Sequence, residues 1–92
     1  MDSVYRGWLR RRLTVREAEE RNLVHHRALG GDAVPFGFRN NEWRALLAKI
    51  ADGDEIWEFR NSESSWQLLR GRAGVALVRD GEVIDVLITS LS

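Results

Sequence analysis

The dipeptide Asp80-Gly81 restricts the fold most, because it lies between two runs of β-branched and aliphatic residues. Asp-Gly in that setting is typical of a type I′ turn, in which both central residues need a positive φ. A two-residue loop fixes the register of the hairpin. One face then carries four opposed pairs, which are Arg79 with Glu82, Leu77 with Ile84, Val75 with Val86, and Ala73 with Ile88. The other face carries three, which are Val78 with Val83, Ala76 with Asp85, and Gly74 with Leu87.

A helix and a strand are predicted ahead of this hairpin. Apolar residues recur at i, i+3, i+4 and i+7 in Trp43, Leu46, Leu47 and Ile50. This stripe predicts a helix over residues 42–51, capped by Asn41 and ended by Gly53. Residues 55–60 alternate like a strand and place Trp57 and Phe59 on one face. A polar loop, residues 61–65, and one helical turn, residues 66–69, follow.

The predicted fold class is α+β, with an N-terminal helical segment followed by one amphipathic helix packed on a three-stranded antiparallel meander. The two tryptophans and the aliphatic residues of these elements form the predicted core. Its members are Trp43, Leu46, Leu47, Ile50, Trp57, Phe59, Leu77, Ile84, Val86 and Ile88.

The arginine-rich segment 1–29 is predicted to be helical. Apolar residues fall at helical spacing in Tyr5, Trp8, Leu9 and Leu13. Thr14 with Glu17 forms a capping-box signature that starts a helix at Val15 and lets it run to Gly30-Gly31. One continuous helix and two separate helices both fit this pattern. Residues 30–40, with three glycines and the single proline, are predicted to be a connector to the body, residues 41–92.

Composition limits the class of protein. Ninety-two residues make a single domain, and no apolar run is long enough for a membrane helix or a secretory signal. We expect a cytoplasmic location, with which the absence of cysteine is compatible. Residues 1–27 carry seven arginines against four acids, and residues 28–92 carry seven cations against ten acids, so the net charges are +3 and −3.

The sequence favours neither a metal site nor a cofactor. His25 and His26 are neighbours and would point about 100° apart on a helix, so they do not suit one metal ion. No phosphate-binding glycine loop or nucleophile motif occurs. The acids Asp52, Asp54, Glu55 and Glu58 could form a small hydrolase site if burial separated their pKa values, but solvated turn acids are the simpler interpretation.

Two groups of residues are candidates for partner binding. Tryptophan and arginine dominate the energetics of protein interfaces, which singles out Trp66, Arg70 and Arg72. The second group is an arginine cluster beside an aromatic ring, made of Trp8, Arg10, Arg11 and Arg12. Our first hypothesis is a non-enzymatic protein-binding module that uses either group. The alternative is a nucleic-acid-binding accessory protein that uses the arginine cluster.

We also expect a homo-oligomer. A small open sheet with a semi-apolar second face can pair with another copy. The residues expected on that face are Gly74, Ala76, Val78, Val83 and Leu87.

Four stretches of the body, GDEIWEF, SW, LLRGRAGVALVRDG and LITSL, carry a resemblance. Over residues 35–92 the chain resembles an uncharacterised group of small bacterial proteins. The resemblance implies a compact bacterial domain and assigns no activity and no functional residue.

Overall fold

Two antiparallel sheets and three short helices build the fold in the computed structural model, which describes residues 5–91. The strands are β1 (Leu9–Leu13), β2 (Leu23–His25), β3 (Ala33–Pro35), β4 (Glu55–Arg60), β5 (Arg72–Arg79) and β6 (Glu82–Leu91). The helices are α1 (Val15–Arg21), α2 (Asn40–Leu47) and α3 (Glu63–Gln67). Three 3₁₀ turns, Tyr5–Trp8, Arg27–Leu29 and Gly37–Arg39, join these elements.

The main sheet has four strands in the order β1-β4-β5-β6, and β2 pairs with β3 in a separate ribbon. The mixed α and β class and the antiparallel sheet are therefore confirmed. The count of three strands was wrong, because a strand from the N-terminal segment is added beside β4.

The prediction of a helix over the first part of the arginine-rich segment was wrong. Leu9–Leu13 is an edge strand in which Leu9 pairs with Phe59 and Leu13 with Ile56. A bulge between Leu9 and Arg11 shifts the register, so the two leucines pack on opposite faces of the sheet although they are four residues apart. Pairing with β4 outweighs the helical spacing. Residues 1–4 of the predicted segment lie outside the described residues.

The second part of that segment contains the predicted helix start. The Thr14 Oγ1 accepts from the Glu17 amide at 3.0 Å, and the Glu17 carboxylate accepts from the Thr14 amide at 2.9 Å. Hydrogen bonding of the Glu17 carboxylate with the Thr14 backbone amide, and then with the Thr14 side chain, lowers the pKa of Glu17. The helix ends at Arg21 and not at Gly30. Beyond it, β2 pairs with β3, so part of the predicted connector is a strand.

Helix α2 begins two residues earlier than predicted and ends four residues earlier. The 3₁₀ turn at Gly37–Arg39 leads straight into Asn40, so no side chain caps the helix and Asn41 is not its N-cap. The Asn40 side chain instead donates to the Pro35 carbonyl at 2.9 Å. Although the helix stops at Leu47, Ile50 still packs against the core, so the predicted stripe is shared between the helix and the turn after it.

Both faces of the main sheet are covered, which reverses the predicted orientation of β4. Ile56 faces α2, in a cluster with Trp43 and Leu46. Trp57 and Phe59 lie on the opposite face, where the segment Tyr5–Trp8 covers Phe59. Alternation along a strand separates two faces but does not say which of them a helix covers.

The hairpin turn is confirmed, and its register is confirmed only next to the turn. Asp80 and Gly81 have φ of 51° and 79°, as a type I′ turn requires. The pairs Arg79–Glu82 and Val78–Val83 form as predicted. A bulge at Ile84 then shifts the following pairs by one residue, so Leu77 lies opposite Asp85. A second bulge between Gly74 and Ala73 adds another residue to the shift, so Ala73 lies opposite Ser90.

The bulge redistributes the predicted core residues between the faces. Ile84 and Leu87 pack on the α2 side, whereas Val86 and Ile88 pack with Phe59 on the other side. Asp85 is held at the edge of the sheet by Lys49, whose Nζ lies 2.7 Å from its carboxylate.

Candidate functional site

The loop that joins β4 to β5, residues 61–71, is ordered by a single buried side chain. The Asn61 Nδ2 donates to the Arg70 carbonyl and the Asn61 Oδ1 accepts from the Arg72 amide, each at 2.9 Å. The Asn61 amide donates to the Arg72 carbonyl at 3.1 Å. At the start of the loop Ser62 caps α3 by accepting from the Ser65 amide. These bonds hold the two ends of the loop together and fix the start of α3 within it.

Helix α3 ends in a Schellman motif with a leucine where glycine is usual. The Arg70 amide donates to the Ser65 carbonyl at 2.7 Å, and the Leu69 amide donates to the Trp66 carbonyl at 3.2 Å. This pattern requires the residue after the C-cap to be left-handed, and Leu69 has a φ of 58°. A left-handed residue other than glycine costs about 1–2 kcal/mol.

The strained residue is also one of the most exposed apolar side chains among the described residues. Leu69 is 77% exposed and the preceding Leu68 is 67% exposed. The neighbouring Arg70 is exposed as well. We call Leu68, Leu69 and Arg70 the tip. Packing against residues 5–91 gives no reason to keep a leucine at position 69.

The Trp66 ring packs between Arg60 and Gly71 in the same loop as the tip. The Arg60 guanidinium lies 4.0 Å from the centre of this ring, a cation–π contact. Gly71 packs so closely that an added Cβ would lie 2.2 Å from the ring, so only glycine fits there. The buried indole Nε1 finds no hydrogen-bond acceptor among residues 5–91. The loop therefore combines an unmatched donor with a strained backbone, and such local costs concentrate at functional sites.

Replacing Leu69 by glycine is expected to stabilise the protein by about 0.5–1 kcal/mol, because glycine removes the left-handed strain and little buried area is lost. Leu68→Gly is the matched control. Leu68 is equally exposed but has a φ of −90°, so glycine there should lower stability. Urea denaturation of both variants measures the difference. Destabilisation by Leu69→Gly would show that the leucine side chain stabilises the folded chain.

The structure places the candidate residues Trp66, Arg70 and Arg72 in or directly beside this loop. Trp66 itself is half-buried and Arg72 donates to the Gly71 carbonyl at 2.8 Å. Sequence reasoning missed Leu68 and Leu69. The signal was present in the sequence, since two consecutive leucines follow a polar loop and precede a glycine, where a short helix cannot bury both.

The other candidate group lies elsewhere, on the edge strand β1. Arg10, Arg11 and Arg12 are all exposed there, and Arg12 lies 3.3 Å from the Glu55 carboxylate. Trp8 is half-buried, and its ring packs edge to face on Tyr5 and is stacked 6.4 Å from that of Phe59, so part of its surface is used in covering the sheet. Charged side chains on an edge strand disfavour pairing with a further strand, which gives this cluster a structural role.

Three of the four acids considered for hydrolysis are engaged with arginines. Glu58 accepts two hydrogen bonds from Arg21 at 2.8 and 2.9 Å. Glu55 accepts from the Trp57 Nε1 in addition to its contact with Arg12. Asp54 accepts from the Arg79 Nε and Nη2 at 2.9 and 2.8 Å. Each of these three carboxylates therefore already has a cationic partner within the chain.

Asp54 links the turn after α2 to the hairpin in a pH-dependent way. Hydrogen bonds from Arg79 and from the Ala51 amide lower the pKa of Asp54 from 3.8 to about 2. The carboxylate therefore contributes stability above pH 4, and this contribution is lost as the pH falls from about 4 to 2.

Asp54→Asn is expected to lower the melting temperature at pH 7 and to have progressively less effect as the pH falls from about 4 to 2. Asp52→Asn, an exposed acid two residues away, is the control and should change little. Calorimetry across this pH range measures both. An Asp54→Asn deficit of the same size at pH 2 and pH 7 would contradict the assignment.

His26 stabilises the local structure. His26 Nδ1 accepts from the Ala28 amide at 3.0 Å, and its ring meets the Phe38 ring edge to face. Within residues 5–91 no three His, Asp or Glu side chains are grouped so that they could hold a metal ion. None of the helices in the same range is long and apolar enough to cross a membrane.

The face proposed for self-pairing is not a free surface. Ala76, Val78 and Val83 are buried beneath the aromatic residues of the N-terminal segment and of β4. Leu87 is buried on the other face, next to α2. The bulge in β6 moved Leu87, and the segment Tyr5–Trp8 covers the rest, so these residues do not form the predicted pairing surface.

Comparisons of the chain with protein-family models, with curated proteins and with solved structures find no match in any of the three. The resemblance of residues 35–92 to a group of small bacterial proteins therefore stays a prediction.

Proposed function

We propose that this protein is a small non-enzymatic interaction module that docks onto a protein partner through the tip. The observation that carries the proposal is Leu69, which keeps a large apolar side chain in a left-handed conformation and exposes 77% of it to solvent. Strain of this kind persists where the surrounding structure enforces it for a function.

The surroundings of the tip support binding to a protein. Leu68 and Leu69 supply an apolar centre, and Arg70 supplies a charged rim beside it, which is the usual anatomy of an interface. The bonds from Asn61 hold the loop in place before binding, so little conformational entropy is lost on association. The partner is either a second copy of the chain or another protein.

Site-specific photocrosslinking tests the proposal. A benzoylphenylalanine at position 68, expressed in the cell that normally makes the protein, is expected to give one discrete protein adduct. The same probe at Ala45, an exposed position on α2, is the control and should give none. Adding Leu69→Asp to the position 68 probe should abolish the adduct, because a charge replaces the apolar centre.

The adduct mass separates the possibilities. Twice the chain mass identifies a homodimer, and any other nuclease-resistant mass identifies a different protein. An adduct that nuclease removes would favour the nucleic-acid hypothesis and contradict the proposal. Equal adducts at positions 68 and 45, or none at position 68, would also contradict it.

A further inference from the structure

Two adjoining hollows form a cleft between the β2–β3 ribbon and the end of the main sheet. The larger, of about 420 Å³, lies against the ribbon, and the smaller, of about 210 Å³, lies against β4 and β5. They share Asn22, Thr89 and Ser90 in their walls. Because the two hollows adjoin through these residues, the cleft is elongated, a shape that suits an extended ligand.

One wall of the larger hollow is apolar and partly exposed. Phe38 is 70% exposed and meets only the edge of His26 among the ring contacts of the described residues. Leu23 and Val24 are also exposed on the ribbon beside it. Gly37 packs against Val24 so closely that an added Cβ would lie 2.9 Å away, which fixes the base of the Phe38 side chain.

The rim of the cleft is cationic. Among the described residues, its lining contains three arginines and one acid, which are Arg21, Arg39, Arg60 and Glu58. The charge of Glu58 is neutralised by its ion pair with Arg21. Glu42 approaches Arg39 to 3.6 Å and Glu63 approaches Arg60 to 3.9 Å, both beyond hydrogen-bond distance. Arginine presents paired donors that match a carboxylate.

The cleft joins the tip through Arg60. This residue lines the smaller hollow with one part of its side chain and covers the Trp66 ring with its guanidinium. Arg60 therefore connects the smaller hollow to the Trp66 ring, and Trp66 belongs to the same loop as the tip.

We infer that this cleft binds an extended peptide segment of the partner that carries a carboxylate side chain next to an apolar one. The inference rests on the proposed function and names the partner chemistry that it needs. The apolar side chain packs on Phe38 and Leu23, and the carboxylate meets Arg39 in the same hollow. The apolar wall and the presence of Glu58 favour a peptide over a nucleic acid, whose phosphates would need arginines throughout.

Peptide selection on the full chain tests the inference. Panning a phage-displayed library of random 12-residue peptides is expected to enrich sequences with Asp or Glu beside Leu, Ile or Phe. The most enriched peptide is then synthesised with a fluorescent label, and its affinity is measured by anisotropy. Phe38→Ser and Arg39→Glu should each weaken binding by about tenfold or more. Both side chains are exposed, so these variants keep the fold, which circular dichroism verifies.

Arg16→Glu is the matched control. It is an equal charge reversal on an exposed arginine that does not line the cleft, and it should change the affinity less than about twofold. A selection without acidic consensus, or tighter binding of a 12-nucleotide single strand than of the peptide, would overturn the inference.

Leu69→Asp separates the inference from the proposed function. If it weakens the peptide that Arg39→Glu also weakens, one segment occupies the tip and the cleft, and both proposals are supported. If Leu69→Asp has no effect while Arg39→Glu abolishes binding, the tip is not part of the binding surface. That result contradicts the proposed function and supports the cleft. If peptide binding depends on Leu69 and on neither Phe38 nor Arg39, the inference about the cleft is wrong and the proposal for the tip is retained.

Discussion

Trp43→Ala is expected to lower the free energy of unfolding by about 3–5 kcal/mol, the usual cost of removing a buried aromatic ring. Trp43 is fully buried, and its ring lies 4.5 Å from that of Phe36. Its Nε1 also donates to the Glu19 carboxylate at 2.8 Å, which ties α2 to α1. Since small domains have only about 5–15 kcal/mol of stability, much of the population should unfold at physiological temperature. Urea denaturation followed by circular dichroism measures the change.

Trp43→Phe separates the two contributions. Phenylalanine keeps most of the packing and loses the hydrogen bond to Glu19, so it should cost clearly less than alanine. If the alanine variant were within about 1 kcal/mol of the parent, the position of Trp43 at the centre of the core would be wrong.

Gly74→Ala is expected to destabilise the protein by about 2–3 kcal/mol, because overpacking against backbone atoms has no cheap relief. An added Cβ would lie 2.0 Å from the Leu87 carbonyl oxygen and 3.0 Å from the Ile88 Cα. Both atoms belong to the backbone of β6, so the two strands would have to separate next to the second bulge. Thermal denaturation measures the loss, and amide shifts should change most along β5 and β6.

Gly7→Ala is the control for this prediction. Among residues 5–91, apart from the neighbours of Gly7 and the backbone of its own turn, no atom lies within 4 Å of a Cβ at position 7, and the residue has no positive φ. The change should therefore stay within about 0.5 kcal/mol. Equal effects at positions 7 and 74 would mean that the close approach of β6 does not determine the cost.

The elements that the sequence predicts correctly are those defined by neighbouring residues. The turn at Asp80-Gly81 depends on two residues that tolerate positive φ. The start of α1 depends on Thr14 and Glu17, whose reciprocal bonds close within a single turn. The apolar stripe of α2 is likewise contained in the helix and the turn that follows it.

The features that were predicted wrongly depend on contacts distant in sequence. Leu9–Leu13 has helical spacing, yet it forms a strand because β4 offers an unpaired edge. The bulge at Ile84 inserts one residue into β6, so Ile84 and Val86 lie on opposite faces although they are two residues apart. The side of β4 that faces α2 depends on how the whole sheet is covered, which no local pattern encodes.

The position of the candidate site in the loop after β4 could be predicted from the sequence, but the residues that form it could not all be predicted. Trp66 and Arg70 pointed to the loop after β4 through residue type alone. The pair of leucines was a visible signal for exposure, but the strain at Leu69 had none, because it arises from the Schellman bonds of a helix only five residues long. The cleft was also missed, since it brings together the β2–β3 ribbon and the end of β6 from distant parts of the chain.

The N-terminal position of β1 has a consequence for the order in which the sheet assembles. Strands β4, β5 and β6 follow one another along the chain, whereas β1 must close a long loop to reach β4. Loop-closure entropy makes such a strand the last to join and the first to leave. Its departure also draws away the Tyr5–Trp8 segment and uncovers Phe59. A brief local opening thus exposes a strand edge and an apolar face together, the combination from which aggregation begins.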